Sequence, residues 1–109
     1  MEKFIPKIAF YTSGKERVAI EIESIEITDK AISFKYADSK KFSGNINVFS
    51  EQGFLYEGTD IYDGERTNIK IEFYRQNNFI LLFGTWGGED DFEGELVIRA
   101  FKEKGIGWG

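Results

Sequence analysis

Short runs of alternating apolar and polar residues, joined by hairpin-sized connections, constrain the fold of this chain more than any other feature. In residues 67–75, Ile69, Ile71 and Phe73 alternate with polar side chains, which predicts a strand with one solvent-facing side. No connection is long enough for a parallel crossover, so consecutive strands are expected to pair antiparallel. The pattern predicts eight strands, near residues 4–11, 16–28, 31–37, 42–50, 54–59, 67–75, 79–86 and 92–101.

The predicted fold is all-β, an antiparallel up-and-down meander that closes into a small barrel. Closure is favoured because it removes both exposed edge strands. Residues 1–101 are interpreted as a single barrel domain, and residues 102–109, which lack a strand period, as a C-terminal tail. An open curled sheet or a two-sheet sandwich stays open as an alternative.

One predicted strand changes its inward phase part of the way along. Even positions are apolar up to Ile22, and odd positions are apolar from Ile25, so a β-bulge is predicted near Ser24. Eight strands enclose little more than their own side chains, which favours a filled core over an apolar pocket. The side chains predicted to face inward are Ile8, Phe10, Val18, Ile20, Ile22, Ile32, Phe34, Tyr36, Phe42, Ile46, Val48, Ile69, Ile71, Phe73, Leu96 and Ile98.

The absence of two residue types and the charge balance exclude several functions. The chain has no Cys and no His, which excludes disulfides, zinc-thiolate sites and the usual Ser-His-Asp chemistry. Every acid that could act as a base is predicted to face outward, so no enzymatic activity is expected. The net charge of −5 is a poor match for phosphates, so no nucleic-acid binding is expected either.

The longest apolar run, residues 79–83, is far shorter than the ~20 residues that span a bilayer. No export signal is recognised in residues 1–7, and we expect a soluble, cytoplasmic protein without membrane contact. The strand at 79–86 lacks polar alternation, which indicates that both of its faces are covered or that its outer face meets a partner. A second copy of the chain is one such partner.

Aromatic residues on the inward faces suggest a ligand site. Tyr36, Tyr56, Phe73 and Trp86 are predicted to line a pocket, and the first functional hypothesis is a small barrel that binds a small apolar molecule. Trp86 has a second interpretation, as a plug for the end of the barrel, and Trp108 in the tail has the same one.

A second hypothesis uses the outer carboxylates. If neighbouring strands present them together, they form an acidic field that steers a basic protein partner, as in an inhibitor or an immunity-type protein. The alternative is that these acids only keep a Phe-rich domain soluble. The residues concerned are Glu21, Glu23, Glu26, Glu93 and Glu95.

Two connections are predicted to be longer and acidic, residues 60–66 and 87–91. The first contains Asp60, Asp63 and Glu65, enough oxygens for a hard cation, but the spacing matches no EF-hand loop. Acidic hairpin tips are usually solvated, so no metal and no cofactor are predicted.

The stretches Gly84-Thr85-Trp86 and Phe92-Glu93-Gly94-Glu95-Leu96 resemble the small calycin-type barrels of the streptavidin and lipocalin sort. The resemblance covers one hairpin and the architecture. An N-terminal Gly-x-Trp and a C-terminal helix, both part of the lipocalin pattern, are missing, so no ligand or site residue is carried over.

Overall fold

The computed structural model describes residues 2–38, 42–51, 53–86 and 94–103. These residues form nine strands, and none of them lies in a helix. The strands are β1 (Glu2–Ser13), β2 (Glu16–Ile22), β3 (Ile25–Ile27), β4 (Ala31–Asp38), β5 (Ser43–Phe49), β6 (Leu55–Tyr62), β7 (Glu65–Gln76), β8 (Phe79–Trp86) and β9 (Gly94–Lys102).

The strands form one closed antiparallel barrel. From β3 to β9 each strand pairs with the next along the chain, and β9 then pairs with β1 to close the sheet. Strands β2 and β3 share one position between β1 and β4, because β1 pairs with β2 near Phe10 and with β3 near Phe4. The predicted up-and-down barrel is therefore confirmed, and the sandwich alternative is wrong.

The break between β2 and β3 is the predicted change of phase near Ser24. Val18, Ile20 and Ile22 are buried before it, and Ile25 and Ile27 after it. A bulge bends the barrel at this level and lets the two halves of the strand face the same core.

Strand β1 bends at the same level, and this corrects two predicted core residues. Its pairing with β9 shifts register between Pro6 and Ile8, which inserts one extra residue into β1. The buried side chain is therefore at an even position before the shift, Phe4, and at an odd position after it, Tyr11. Ile8 is consequently exposed and Phe10 only half-buried, although both were predicted to face inward. Phe10 instead carries the Arg17 guanidinium 5.6 Å from its ring centre.

The predicted acidic loop at residues 60–66 is wrong. Strand β6 continues to Tyr62, and β7 starts at Glu65, so the connection is the turn Asp63-Gly64. Both turn residues have positive φ, 48° and 81°, which is typical of the type I′ hairpin turn. The strand extension moves Asp60 from a solvated loop to the interior of the barrel.

The middle of the barrel is filled with aliphatic side chains, as the sequence predicts. Eleven large side chains are less than 2 % exposed, and most of them come from β4, β5, β7, β8 and β9. Phe42 was predicted to join this core, but it precedes β5 and is 42 % exposed. Phe73 is half-buried at the edge of the core.

Strand β8 alternates in its burial even though its sequence does not alternate in polarity. Ile80, Leu82 and Trp86 are buried, while Leu81 faces outward. Part of this outer face is covered by Arg99, whose guanidinium lies 5.4 Å from the Phe79 ring and 5.6 Å from the Phe101 ring. A second copy on this face stays a prediction.

The last strand of the barrel extends beyond residue 101, where the sequence pattern predicted its end. Lys102 is still part of β9, and the backbone N–H of Glu103 donates to the carbonyl of Lys3 at 2.9 Å. Trp108 lies outside the described residues. Within those residues, no helix is long and apolar enough to cross a membrane.

An ion-pair cluster ties the chain start to the barrel. Arg75 donates two hydrogen bonds to the Glu2 carboxylate, at 2.6 and 2.7 Å, and Lys102 approaches the same carboxylate at 3.2 Å. The Arg75 guanidinium also lies 5.5 Å from the ring centre of the buried Phe4. These contacts, led by the Arg75 hydrogen bonds, lower the pKa of Glu2 to about 2.

We expect Glu2→Gln to lower the free energy of unfolding at pH 7 by about 0.5–1 kcal/mol, the scale of a partly exposed pair with bidentate geometry. A depressed carboxyl pKa stabilises the fold above the ordinary value of 4.5, and this contribution is lost as pH falls towards about 2. Urea denaturation of both proteins from pH 7 to pH 2 measures the difference. Glu57→Gln is the control, because Glu57 and Lys70 form an exposed pair at 3.7 Å; an equal loss in both variants would contradict the account.

Candidate functional site

Two buried carboxylates lie among aromatic side chains at one end of the barrel, the end with the β6–β7 turn. Sequence reasoning placed no acid inward, and this was wrong: Asp38 is 7 % exposed and Asp60 is 3 % exposed. We call the group the carboxylate–tyrosine network. Its members are Asp38, Asp60, Tyr11, Tyr36, Tyr62 and Trp86.

Within the described ranges, Asp60 is hydrogen-bonded through one of its two oxygens. Its Oδ2 accepts from the Tyr36 hydroxyl at 2.8 Å and from the Trp86 indole N–H at 3.0 Å. Its Oδ1 is buried and has no hydrogen-bond partner among the described residues. No described Lys or Arg forms an ion pair with this carboxylate. Buried polar atoms are nearly always partnered, so Oδ1 is the outstanding feature of the network.

Asp38 is bound more extensively. Its Oδ2 accepts from the Tyr62 hydroxyl at 2.6 Å and from the Tyr11 hydroxyl at 2.9 Å. Its Oδ1 accepts from the backbone N–H of Phe42 at 3.2 Å, which ties the carboxylate to the start of the next strand. Asp38 therefore holds the β4–β5 connection as well as two tyrosines.

The rings around the two carboxylates contact one another. Tyr36, which donates to Asp60, stacks on Tyr62, which donates to Asp38, with ring centres 6.3 Å apart. Trp86 and Tyr11 link the same two carboxylates through an edge-to-face contact at 5.9 Å. The residues around the two carboxylates therefore belong to one continuous cluster of ring contacts.

The network reaches the surface through Tyr62 and Phe42. Tyr62 is half-buried, and its ring meets the exposed Phe42 ring edge-to-face at 5.7 Å. Tyr36, Trp86 and Asp60 lie deeper, because each is 5 % exposed or less. The network thus extends from a partly exposed aromatic layer to a buried carboxylate.

Burial dominates the electrostatics of the network. It raises the pKa of the Asp60 carboxyl, and the hydrogen bonds from Tyr36 and Trp86 offset this only in part. Burial also raises the pKa of Tyr36, and the charge of Asp60 raises it further. Burial raises the pKa of Tyr62 as well, and the hydrogen bond to Asp38 adds to this increase. The tyrosines therefore keep their protons and donate hydrogen bonds. Because the pKa of Asp60 is raised, ionising this carboxyl costs more in the folded protein than in the unfolded chain, so the fold loses stability as pH rises from the ordinary value of 3.8 through the raised pKa.

Glycines opposite the rings make the network possible. Gly44 pairs with Tyr36 across β4 and β5, and a Cβ at this position would overlap the tyrosine ring. Gly94 pairs with Trp86 across β8 and β9, and a Cβ there would lie 3.1 Å from an indole carbon. Each ring therefore lies against glycine backbone, which fixes the direction in which its donor points.

The structure divides the predicted ligand-lining residues into two pairs. Tyr36 and Trp86 meet at Asp60, whereas Tyr56 and Phe73 contact each other edge-to-face at 5.9 Å. Along β6, Tyr56 precedes Asp60 by four residues, about 13 Å of strand. Only the first pair joins polar groups to aromatic rings.

The predicted acidic residues are also divided. Glu23 and Glu26 line a polar groove of about 340 Å³ on the outside of the barrel, beside the break between β2 and β3. Glu21 lies on β2 and Glu95 lies on β9, and strand β1 separates these two strands. Glu93 lies outside the described residues. The groove residues are Glu23, Ser24, Glu26, Ser33, Phe34, Lys35, Asn45 and Asn47.

A signal for the two missed aspartates exists in the sequence. Asp38 follows Ile32, Phe34 and Tyr36 at the same period of two, and Asp60 follows Tyr56 and Gly58 in the same way. Extending both strands by that period, with Asp63-Gly64 as the hairpin turn, would have placed both acids inward.

No metal-binding group is found in the described part of the chain, where no three acidic side chains cluster in a suitable way. The network offers instead a buried acceptor oxygen, neutral donors and ring faces. That combination can bind a group that donates a hydrogen bond, or accept a proton from it.

No protein-family model matches the chain, and comparisons with curated proteins and with solved structures gave no significant match. The function is therefore inferred from the geometry of the site.

We expect Gly44→Ala to displace the Tyr36 ring, break its bond to Asp60 and destabilise the protein by about 1–3 kcal/mol. The matched control is Gly44→Ala in a Tyr36→Ala background, where no ring opposes the new methyl group and its cost should vanish. Urea denaturation of the four proteins gives the coupling. An equal cost in both backgrounds would show that the glycine is needed for another reason.

Proposed function

We propose that this protein is a non-enzymatic binding module that holds a small molecule at the carboxylate–tyrosine network. The observation that carries the proposal is Asp60 Oδ1, a buried carboxylate oxygen with no partner among the described residues. Leaving such an atom unpaired costs about 1–3 kcal/mol, and more when the group is charged. A ligand that donates a hydrogen bond to Oδ1 would remove this cost and convert it into affinity.

The surroundings of Asp60 support binding at this end. Ligand sites are usually apolar and aromatic with a few convergent polar groups, and the network combines Tyr36, Tyr62 and Trp86 with two carboxylates. The two bonds to Oδ2 hold the carboxylate in one orientation, so Oδ1 is already directed before a ligand arrives.

The proposed ligand differs from the purely apolar molecule expected from the sequence. The middle of the barrel is occupied by fully buried aliphatic side chains, such as Ile46, Ile71 and Leu82. An apolar ligand there would have to displace close-packed side chains. At the network, by contrast, a ligand needs a donor for Oδ1 and an apolar body of modest size for the rings.

The groove beside Ser24 supports a second candidate function, recognition of a basic protein partner. Glu23 and Glu26 lie in one depression together with amide side chains from β5, and these can accept from and donate to a peptide. Lys35 lies in the same groove and reduces its negative charge. We therefore rank this function second.

The cytoplasmic location of the protein stays a prediction from the sequence.

One NMR experiment separates the two functions. We expect a library of small donors, added to ¹⁵N-labelled protein, to shift the amide signals of Tyr36, Asp60 and the Trp86 indole in a saturable way. Asp60→Asn should weaken the best binder at least tenfold, because it removes the charge but keeps the shape. The matched control, Tyr56→Phe, removes the hydroxyl of a tyrosine from the other pair and should leave the affinity unchanged.

A lysine-rich peptide is added in a parallel titration. Shifts confined to Glu23, Glu26, Asn45 and Asn47 with the peptide, and none at the network with the small donors, would favour the second function. The absence of saturable shifts at the network would contradict the first.

A further inference from the structure

We infer that the group recognised by Asp60 is a small organic ammonium ion, a primary amine in its protonated form on a short apolar chain. The inference rests on the proposed function and specifies its ligand class.

The charge balance at Asp60 is the first reason. Both hydrogen bonds to this carboxylate come from neutral donors, a phenol hydroxyl and an indole N–H. The described part of the chain supplies no ion pair for it, and the sequence has no His to supply one. Buried charges in proteins are normally paired with an opposite charge, and a cation supplies this pairing for a carboxylate where a neutral donor does not.

The geometry of the free oxygen is the second reason. An ammonium group carries three N–H donors on a compact nitrogen, so it needs only the one oxygen that the bonds from Tyr36 and Trp86 leave unpartnered among the described residues. A guanidinium prefers to bind both oxygens of a carboxylate side by side, and Oδ2 is already occupied by two donors. The partly used carboxylate thus favours a point-like cation over a planar one.

The aromatic rings are the third reason. Cations are attracted to the faces of Trp and Tyr rings, and the effect strengthens where water is excluded. Tyr11, Tyr36, Tyr62 and Trp86 are joined by ring contacts of 5.9 and 6.3 Å around the two carboxylates. A second carboxylate, Asp38, lies in the same ring cluster and adds to the negative potential. An anion or a carbonyl acceptor would meet negative charge from both aspartates.

The test uses three probes of matched size: n-butylammonium, 1-butanol and n-butyrate. The readout is the Trp86 indole N–H signal of ¹⁵N-labelled protein, distinguished from that of Trp108 by a Trp86→Phe variant. We expect a saturable shift with butylammonium, at least tenfold weaker binding of butanol and no shift with butyrate. Asp60→Asn should reduce butylammonium affinity at least tenfold, while Glu95→Gln, which removes an exposed carboxylate, should change it less than twofold.

The outcomes separate the inference from the proposed function. Equal affinity for butanol and butylammonium, lost in Asp60→Asn, would overturn the ammonium class and keep the small-molecule site. Binding of butyrate alone would overturn the ammonium class and show that Asp60 acts as a protonated donor. No shift with any probe would overturn both, because butanol also carries a donor for Oδ1. The backbone amide signals of the aliphatic middle of the barrel, such as those of Ile46, Ile71 and Leu82, show whether Asp60→Asn is folded, because the Trp86 indole itself bonds to residue 60.

Discussion

A carboxylate that leaves water loses hydration, which only hydrogen bonds or a counter-charge can replace. The described residues supply Asp60 with donors for one oxygen but none for the other. Several features of the barrel follow from this constraint. Tyr36 and Trp86 have to reach Oδ2, and each does so by lying against a glycine on the neighbouring strand. The rings that serve Asp60 then contact those that serve Asp38, so both carboxylates depend on the same aromatic layer.

The contacts that stabilise the barrel lie away from the end that holds the two carboxylates. The aliphatic middle is fully buried, and the chain start is fastened by Glu2, Arg75 and Lys102. Closure of β9 onto β1 removes the edge strands. The packed middle and this ion-pair cluster stabilise the barrel, while Asp60 Oδ1 in the carboxylate–tyrosine network has no hydrogen-bond partner among the described residues. Such a division is expected under the proposed function, in which the network holds a binding site in an unsatisfied state.

The strand period and the short connections were sufficient to predict the barrel, and the phase change near Ser24 was sufficient to predict its bend. The matching bend in β1 was not predicted, because a bulge between Pro6 and Ile8 leaves no polar residue out of phase. Asp60 was missed because Asp, Gly and Glu near residue 63 resemble a solvated loop, whereas the left-handed turn allows both strands to continue. That Tyr56 lies apart from Trp86 depends on register between strands, which a single sequence does not contain.

The most direct measurement is a pH titration of the Asp60 side-chain carboxyl by ¹³C NMR, with and without n-butylammonium. The titratable groups of the network around it are Asp38, Tyr11, Tyr36 and Tyr62, of which Tyr36 bonds to Asp60 directly, and the raised pKa values of the three tyrosines keep them protonated throughout the acidic range. We expect the Asp60 pKa to lie above the ordinary aspartate value of 3.8 in the free protein and to fall when the ammonium binds, because the cation stabilises the charged form. An ordinary pKa that does not respond to the ammonium would contradict the account, because Asp60 would then be neither desolvated nor the site of binding.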